Sequence, residues 1–231
     1  GGSTAFPEAL ADRWEALLRR RGQGEPLQYI IGEQAFYGLT FEVNPSVLIP
    51  RPETELLVEA VVKQVQVLWG PGSAALRLAD IGTGSGAIAV TLAVQLPEAS
   101  VTAIDLSSAA LKVAERNAAR NGAAKRVMFR QGDLLGPLLA DGERVDVLVS
   151  NPPYIETEVI AGLQREVRDY EPHLALDGGT DGLDCYREMV KQMGLMASPP
   201  RLVGFEVGMG QAREVAGLLA ASGVWTALEI V

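Results

Sequence analysis

From residue 77 onward the sequence alternates between strand and helix patterns, and this constrains the fold more than any other feature. LRLADIG (76–82) reads as a strand and 86–96 as a helix. SVTAIDL (100–106) is the next strand, followed by a helix over 107–121 with Ser107 as its cap. RVMFRQ (126–131) is a third strand, followed by a loop over 132–143. RVDVLVS (144–150) is a fourth strand; after a loop-rich stretch, 181–193 reads as a helix. RLVGFEV (201–207), a helix over 211–221 and a last strand, WTALEIV (225–231), end the chain. Strands alternating with helices need right-handed crossovers, so the expected fold is α/β, a doubly wound and mostly parallel sheet.

The front of the chain is different. Residues 7–21 read as a helix with Leu10, Trp14, Leu17 and Leu18 on one face and Pro7 in its first turn. EQAFYGLTFEV (33–43) reads as a β-hairpin turning near Gly38, and the stiff LIPRPETE (48–55) feeds a helix that runs to 69. The main domain is expected to begin near residue 50.

The totals exclude several classes. One cysteine, Cys185, excludes an internal disulfide and a zinc cluster, so no metal site is expected. No run approaches the ~18 apolar residues of a membrane span. A formal charge of −9 is a poor footprint for a nucleic-acid partner. A cytoplasmic monomer with neither membrane attachment nor a stable nucleic-acid partner is expected.

Four strand ends carry the chemistry. LADIGTGSGAIAV (78–90) is a strand, a glycine turn and a helix. Gly82, Gly84 and Gly86 allow tight turning and close approach of a ligand, with the intervening Thr83 and Ser85 in the same loop. The spacing is G-x-G-x-G rather than the G-x-G-x-x-G of dinucleotide sites. Asp80 beside the loop would repel a pyrophosphate but suits a cation such as the ammonium or sulfonium of S-adenosylmethionine. Asp105 at the second strand end can accept two ribose hydroxyls. Asp133 at the third can meet an adenine amine, with Leu134 against the ring.

The fourth strand stops in Asn151, Pro152, Pro153 and Tyr154. Two prolines stiffen the corner and remove backbone donors, leaving pure acceptors. The Asn151 side-chain oxygen and the Pro152 carbonyl can take one N–H each from a planar NH2 group, and Tyr154 can stack on it. That fits an amide or a base amine, both weak nucleophiles for which positioning matters most. No general base is evident. The competing readings are a nucleic-acid base-amine methyltransferase with the same clamp, a dinucleotide-dependent oxidoreductase, and a fold with a dead site.

Together these motifs resemble class I S-adenosylmethionine-dependent N-methyltransferases. GEPLQYIIGEQAFYGLTFEV (24–43), LIPRPETELLVE (48–59), SNPPYIE (150–156) and YEPHLALDGGTDGLDCYR (170–187) resemble the HemK/PrmC type. The resemblance implies a Rossmann-like methyltransferase sheet, preceded by a small helix and hairpin. It implies methylation, at side-chain N5, of the glutamine in the Gly-Gly-Gln motif of peptide chain release factors. It implies cofactor contacts from 82–86, from Asp105 and Leu106, from Asp133 and Leu134, and from Asn151 at the methyl end. The substrate glutamine falls to residues 151–154, with Arg51 and Glu53 lining the site. Residues 1–24 are expected to be the remnant of a helical docking domain, 25–50 a hairpin linker and 51–231 the catalytic domain, its sheet short of a last strand.

Other residues read as structural: His173, the three tryptophans Trp14, Trp69 and Trp225, and a basic stripe of Lys112, Arg116 and Arg120. Glu171 is a candidate for ordering the corner.

Overall fold

The computed structural model describes residues 8–70 and 75–231; Pro7 lies outside them. Helices α1 (Glu8–Gly22) and α2 (Leu27–Ile31) lead into the hairpin β1 (Glu33–Phe36) and β2 (Leu39–Glu42). Its two-residue turn puts Tyr37 at φ 51° and Gly38 at φ 75°, both left-handed, as a tight hairpin requires. Helix α3 (Pro52–Trp69) starts on a proline, whose fixed φ suits a first turn.

The alternation then runs as β3 (Arg77–Ile81), α4 (Ala87–Gln95), β4 (Ser100–Asp105), α5 (Ser108–Arg120) and β5 (Val127–Gln131). The Ser107 side chain caps α5 by accepting from the Ala110 N–H. It continues as α6 (Gly136–Ala140), β6 (Val147–Ser150), α7 (Thr157–Ile160), α8 (Arg165–Tyr170), α9 (Asp184–Met193), β7 (Leu202–Phe205) and α10 (Ala212–Ala221), with a single 3-10 turn at His173–Ala175.

The five-stranded sheet is parallel throughout, in the order β5-β4-β3-β6-β7. The chain adds β4 and β5 on one side of β3 and then β6 and β7 on the other, so the carboxyl ends of β3 and β6 flank the switch point at which such sheets bind ligands. Both faces are covered. Leu78, Val147 and Val149 face one core with α3 and α4, whereas Ala79 and Leu148 face the other with α9 and α10. That is the period-two alternation of a strand buried on both sides.

Three expectations need correction. The loop over 132–143 contains α6, because Pro137 can start a helical turn without losing a bonded N–H. The stretch after the corner holds α7 and α8, which Gly162 and Pro172 keep short. Residues 225–231 form no strand: their alternation suits one, but Leu228 and Ile230 are exposed and no ladder partner is present among the described residues. Leu10, Trp14 and Leu18 on the apolar side of α1 are exposed.

Candidate active site

The glycine loop closes on itself through its backbone. The Gly82 and Thr83 N–H groups both donate to the Ile104 carbonyl at 2.9 Å, and Gly86 N–H donates to Thr83 O at 2.8 Å. Gly82, Gly84 and Gly86 all have positive φ. A Cβ at Gly86 would meet Ala114 Cβ at 3.0 Å, so that glycine lets α5 pack against the loop. At Gly82 and Gly84 a Cβ would meet no protein atom within 4 Å. These two positions border open space at the carboxyl end of β3, a cradle for a ligand that approaches the backbone.

Asp80 lies beneath the loop and is fully buried. Its Oδ2 accepts from Thr83 Oγ1 at 2.6 Å and from Ala89 N–H at 3.1 Å, while Oδ1 has no partner. Burial pushes its carboxyl up to about 7, against those two donors, and nearby Asp105 adds to the rise. Asp105 is half-buried at the tip of β4. One oxygen accepts from Gly84 N–H and the other from Ser107 N–H, each at 2.8 Å. Burial raises its pKa and these backbone donors oppose the rise. Each carboxylate oxygen retains a lone pair for a hydroxyl.

Asp133 and Leu134 follow β5, and Leu106 beside them is exposed. Leu134 holds φ at 46°, in the left-handed region costly for a branched residue. Gly136 N–H to Asp133 O at 2.8 Å and Leu135 N–H to Gln192 Oε1 at 2.8 Å hold it there. The donor set fits S-adenosylmethionine: a glycine cradle, an unpartnered buried carboxylate oxygen against a cation, and an acidic residue at each of the three strand ends.

The corner after β6 is fastened from behind. Ile155 N–H donates to Leu176 O at 3.0 Å and Gly178 N–H to Ile155 O at 2.8 Å. Gln211 Nε2 donates to the Tyr154 carbonyl at 3.0 Å. Two of the three glycines of DGGTDG are explained by this packing. A Cβ at Gly178 would meet Pro153 O at 2.8 Å, and one at Gly182 would meet Tyr154 O at 2.3 Å.

Asn151 turns its amide nitrogen to Thr54 Oγ1 at 3.2 Å, which leaves its oxygen to the crevice. Thr54, in the first turn of α3, is buried, whereas the sequence drew attention to its exposed neighbour Glu53. Glu53 is close enough to Tyr154 and Glu206 to raise both of their pKa values. Arg51 is committed elsewhere: it forms an ion pair with Glu171, whose other oxygen accepts from Ile49 N–H at 3.3 Å. Glu171 therefore ties the segment before α3 to the segment after the corner.

Two contributors escaped the sequence reading. Glu206, just past β7, approaches the Tyr154 hydroxyl at 3.5 Å. Strand-end position, the signal that picked Asp80 and Asp105, also marks it. Asn117 of α5 donates to Ser85 O at 2.8 Å and to Glu42 O at 3.0 Å, and its own oxygen accepts from Glu42 N–H at 2.6 Å. It links the glycine loop to the hairpin; no local motif signals that. Thr83 and Ser85 are buried, so their side chains serve the loop's interior. His173 is exposed, 4.0 Å from Asp177. Among the described residues no cluster suited to a metal ion occurs, and no helix is long and apolar enough to cross a membrane.

Solved structures share this architecture. A SAM-dependent methyltransferase from Agrobacterium tumefaciens matches with a TM-score of 0.56 at 15% identity, over 82% of this chain and 57% of that one. The human methyltransferase 10 domain containing protein matches at 0.55 and 20% identity, over 96% and 89%. The chain thus has the fold of S-adenosylmethionine-dependent methyltransferases. A methyltransferase small domain model matches residues 52–178 and a PrmC N-terminal domain model matches 2–32. The chain is 48% identical over 217 residues to the release factor glutamine methyltransferase of Geobacter sulfurreducens, covering 94% of this chain and 72% of that protein. It is 44% identical over 207 residues to that of Bacillus subtilis, covering 90% and 71%. The chain belongs to the release factor glutamine methyltransferase family.

Proposed function

We propose that this chain methylates the side-chain amide nitrogen of the glutamine in the Gly-Gly-Gln motif of a peptide chain release factor. The observation that carries the reading is the orientation of Asn151: its nitrogen is bound to Thr54, so its oxygen is left to accept. An amide NH2 brings two donors to such a corner.

S-adenosylmethionine, when bound, supplies an electrophilic methyl on a sulfonium. The glycines at 82 and 84 would admit it against the backbone, Asp105 would take the ribose hydroxyls, and Asp133 and Leu134 would border the adenine. Asp80 favours its cationic end through an unshielded carboxylate. Asn151 and the Pro152 carbonyl hold both amide N–H bonds, aiming the nitrogen lone pair across the switch point. Tyr154 covers the planar group. Taking the methyl would return the sulfonium to a neutral thioether and leave the amide nitrogen positive until one N–H proton passes to water; acceptor dipoles already in place stabilise that charge. The stiff corner supplies most of the rate by positioning. Arg51 and Glu53 stay at the rim, Arg51 as a tie to Glu171. The basic residues of α5 favour a protein acceptor over nucleic acid, because Arg116 pairs with Glu42 and Arg120 with Glu33.

The test is methyl transfer from labelled S-adenosylmethionine to a bacterial-type release factor, to the same factor with that glutamine changed to alanine, and to mixed DNA and rRNA. Label on the intact factor alone is the expected result. Label on nucleic acid would replace the substrate while keeping the clamp.

A further inference from the structure

An asparagine amide can sit in its pocket either way round, and the two ways have opposite chemistry. With Oδ1 toward the crevice Asn151 accepts from an NH2 group; reversed, it presents donors to donors. Thr54 does not settle the choice, since a hydroxyl both donates and accepts. Something beyond Thr54 has to fix the direction of its hydrogen.

Glu206 is in place to do so. Gly204 brings α3 against β7: a Cβ there would meet Val61 Cγ2 at 2.9 Å and Leu57 Cδ1 at 3.1 Å. Glu206 lies two residues further along, on the same side of the extended chain, and Thr54 lies one turn before Leu57 on the same side of α3. Glu206 Oε1 lies 3.5 Å from the Tyr154 hydroxyl, Thr54 and Asn151 are close enough for their donors to hold its pKa down, and its Oε2 is sealed from solvent with no bonded partner. With Oε2 closed to the crevice, the charge of Glu206 is felt through the side chains around it.

We propose that ionised Glu206 is a positioning residue that sets the polarity of the Asn151 clamp, both directly and through Thr54. An ionised carboxylate only accepts, so it draws the Thr54 hydroxyl hydrogen toward itself. Thr54 Oγ1 then offers its lone pair to Asn151 Nδ2, the 3.2 Å bond observed. Asn151 Oδ1 is left facing the crevice. The inference rests on the reading that the clamp holds an NH2 group, whether amide or base amine.

The groups facing Glu206 are Glu53 and Thr54 from α3, Asn151 and Tyr154 from the corner, and Tyr186 of α9, whose hydroxyl donates to the Glu206 carbonyl at 2.7 Å. Burial first, then the charge of Glu53, hold the Glu206 carboxyl above the ordinary glutamate range, against the three donors. Protonation there turns an acceptor into a donor and reverses the relay. Activity falls on the acid side, at a pH above that of an ordinary glutamate.

The test compares wild type, Glu206→Gln, Glu206→Asp, Thr54→Val and the Glu206→Gln/Thr54→Val double variant. Each is assayed across pH on whichever acceptor wild type labels, release factor or nucleic acid. Thus loss of the release-factor reading shows in the choice of acceptor and failure of the relay in the variant ratios. Glu206→Gln is expected to lower kcat on the order of 10²-fold while cofactor Kd stays within about threefold, and to lose the acid limb of the pH profile. Glu206→Asp recovers part of the rate, and the double variant is no worse than the poorer single one, since both break one relay. Independently of any acceptor, the Asn151 side-chain amide resonances in the cofactor-free protein shift in Glu206→Gln. A Glu206→Gln enzyme with near-wild-type kcat at every pH, multiplicative losses in the double variant, or unmoved Asn151 resonances would overturn the proposal.

Discussion

At the scale of single residues, the site separates binding from transfer. In the proposed reaction Asn151 holds the acceptor group, and its side-chain hydrogen bond goes to Thr54 rather than to the glycine loop. Asn151→Ala is therefore expected to cut kcat by about 10²-fold or more with cofactor affinity within about threefold, read by single-turnover transfer and calorimetry. Asp80 makes a different prediction. Burial pushes its carboxyl up to about 7, above the ordinary aspartate range, so the folded state holds an extra proton between the two. Stability then falls as pH rises through that window. A cation at the loop favours the ionised form, so cofactor affinity rises with pH from about 6 to about 8. Asp80→Asn keeps an acceptor for Thr83 and Ala89 and should flatten both slopes, measured by thermal melts and by titration calorimetry at several pH values.

At the scale of elements, two attachments hold the site in shape. Helix α5 carries the basic stripe that reads as a solvated face. Its arginines pair with the hairpin, and Asn117 joins both to the glycine loop. Behind the corner, the DGGTDG segment packs backbone to backbone against Pro153 and Tyr154. Gly182→Ala forces a Cβ into the Tyr154 carbonyl and also meets a positive φ of 73°. The corner must move, and a displacement near 1 Å costs on the order of 10²-fold in rate. The expected outcome is a folded protein with normal cofactor affinity and a much lower kcat, checked by circular dichroism beside the transfer assay.

At the scale of the whole molecule, Arg51 and Glu171 join segments 120 residues apart in sequence. The Glu171 side chain is nearly sealed while Arg51 is about one-third exposed. Removing the arginine strands a buried carboxylate, which costs about 3 kcal/mol. Arg51→Ala is expected to lower the urea midpoint clearly, and Arg51→Ala with Glu171→Gln to recover much of it. If the double variant were as unstable as the single, the tie would owe its worth to packing rather than to charge.

The sequence by itself determined the strand–helix alternation, the glycine loop with its three strand-end acids, and the proline-stiffened corner. Each is legible because its cause is local: a period, a turn geometry, a fixed φ. It misread 225–231, where alternation suits a strand but a strand exists only with a ladder partner. It named Glu53 where Thr54 points inward, because charge is visible in a sequence and the rotation of a helix over a sheet is not. Only the tertiary structure brought Glu206 to Thr54 and Asn151, through the close passage of α3 over Gly204. Only it spent Arg51 on Glu171 and Asn117 on the loop. The last two pairings span 120 and 32 residues, and only the packed sheet and helices make such partners neighbours.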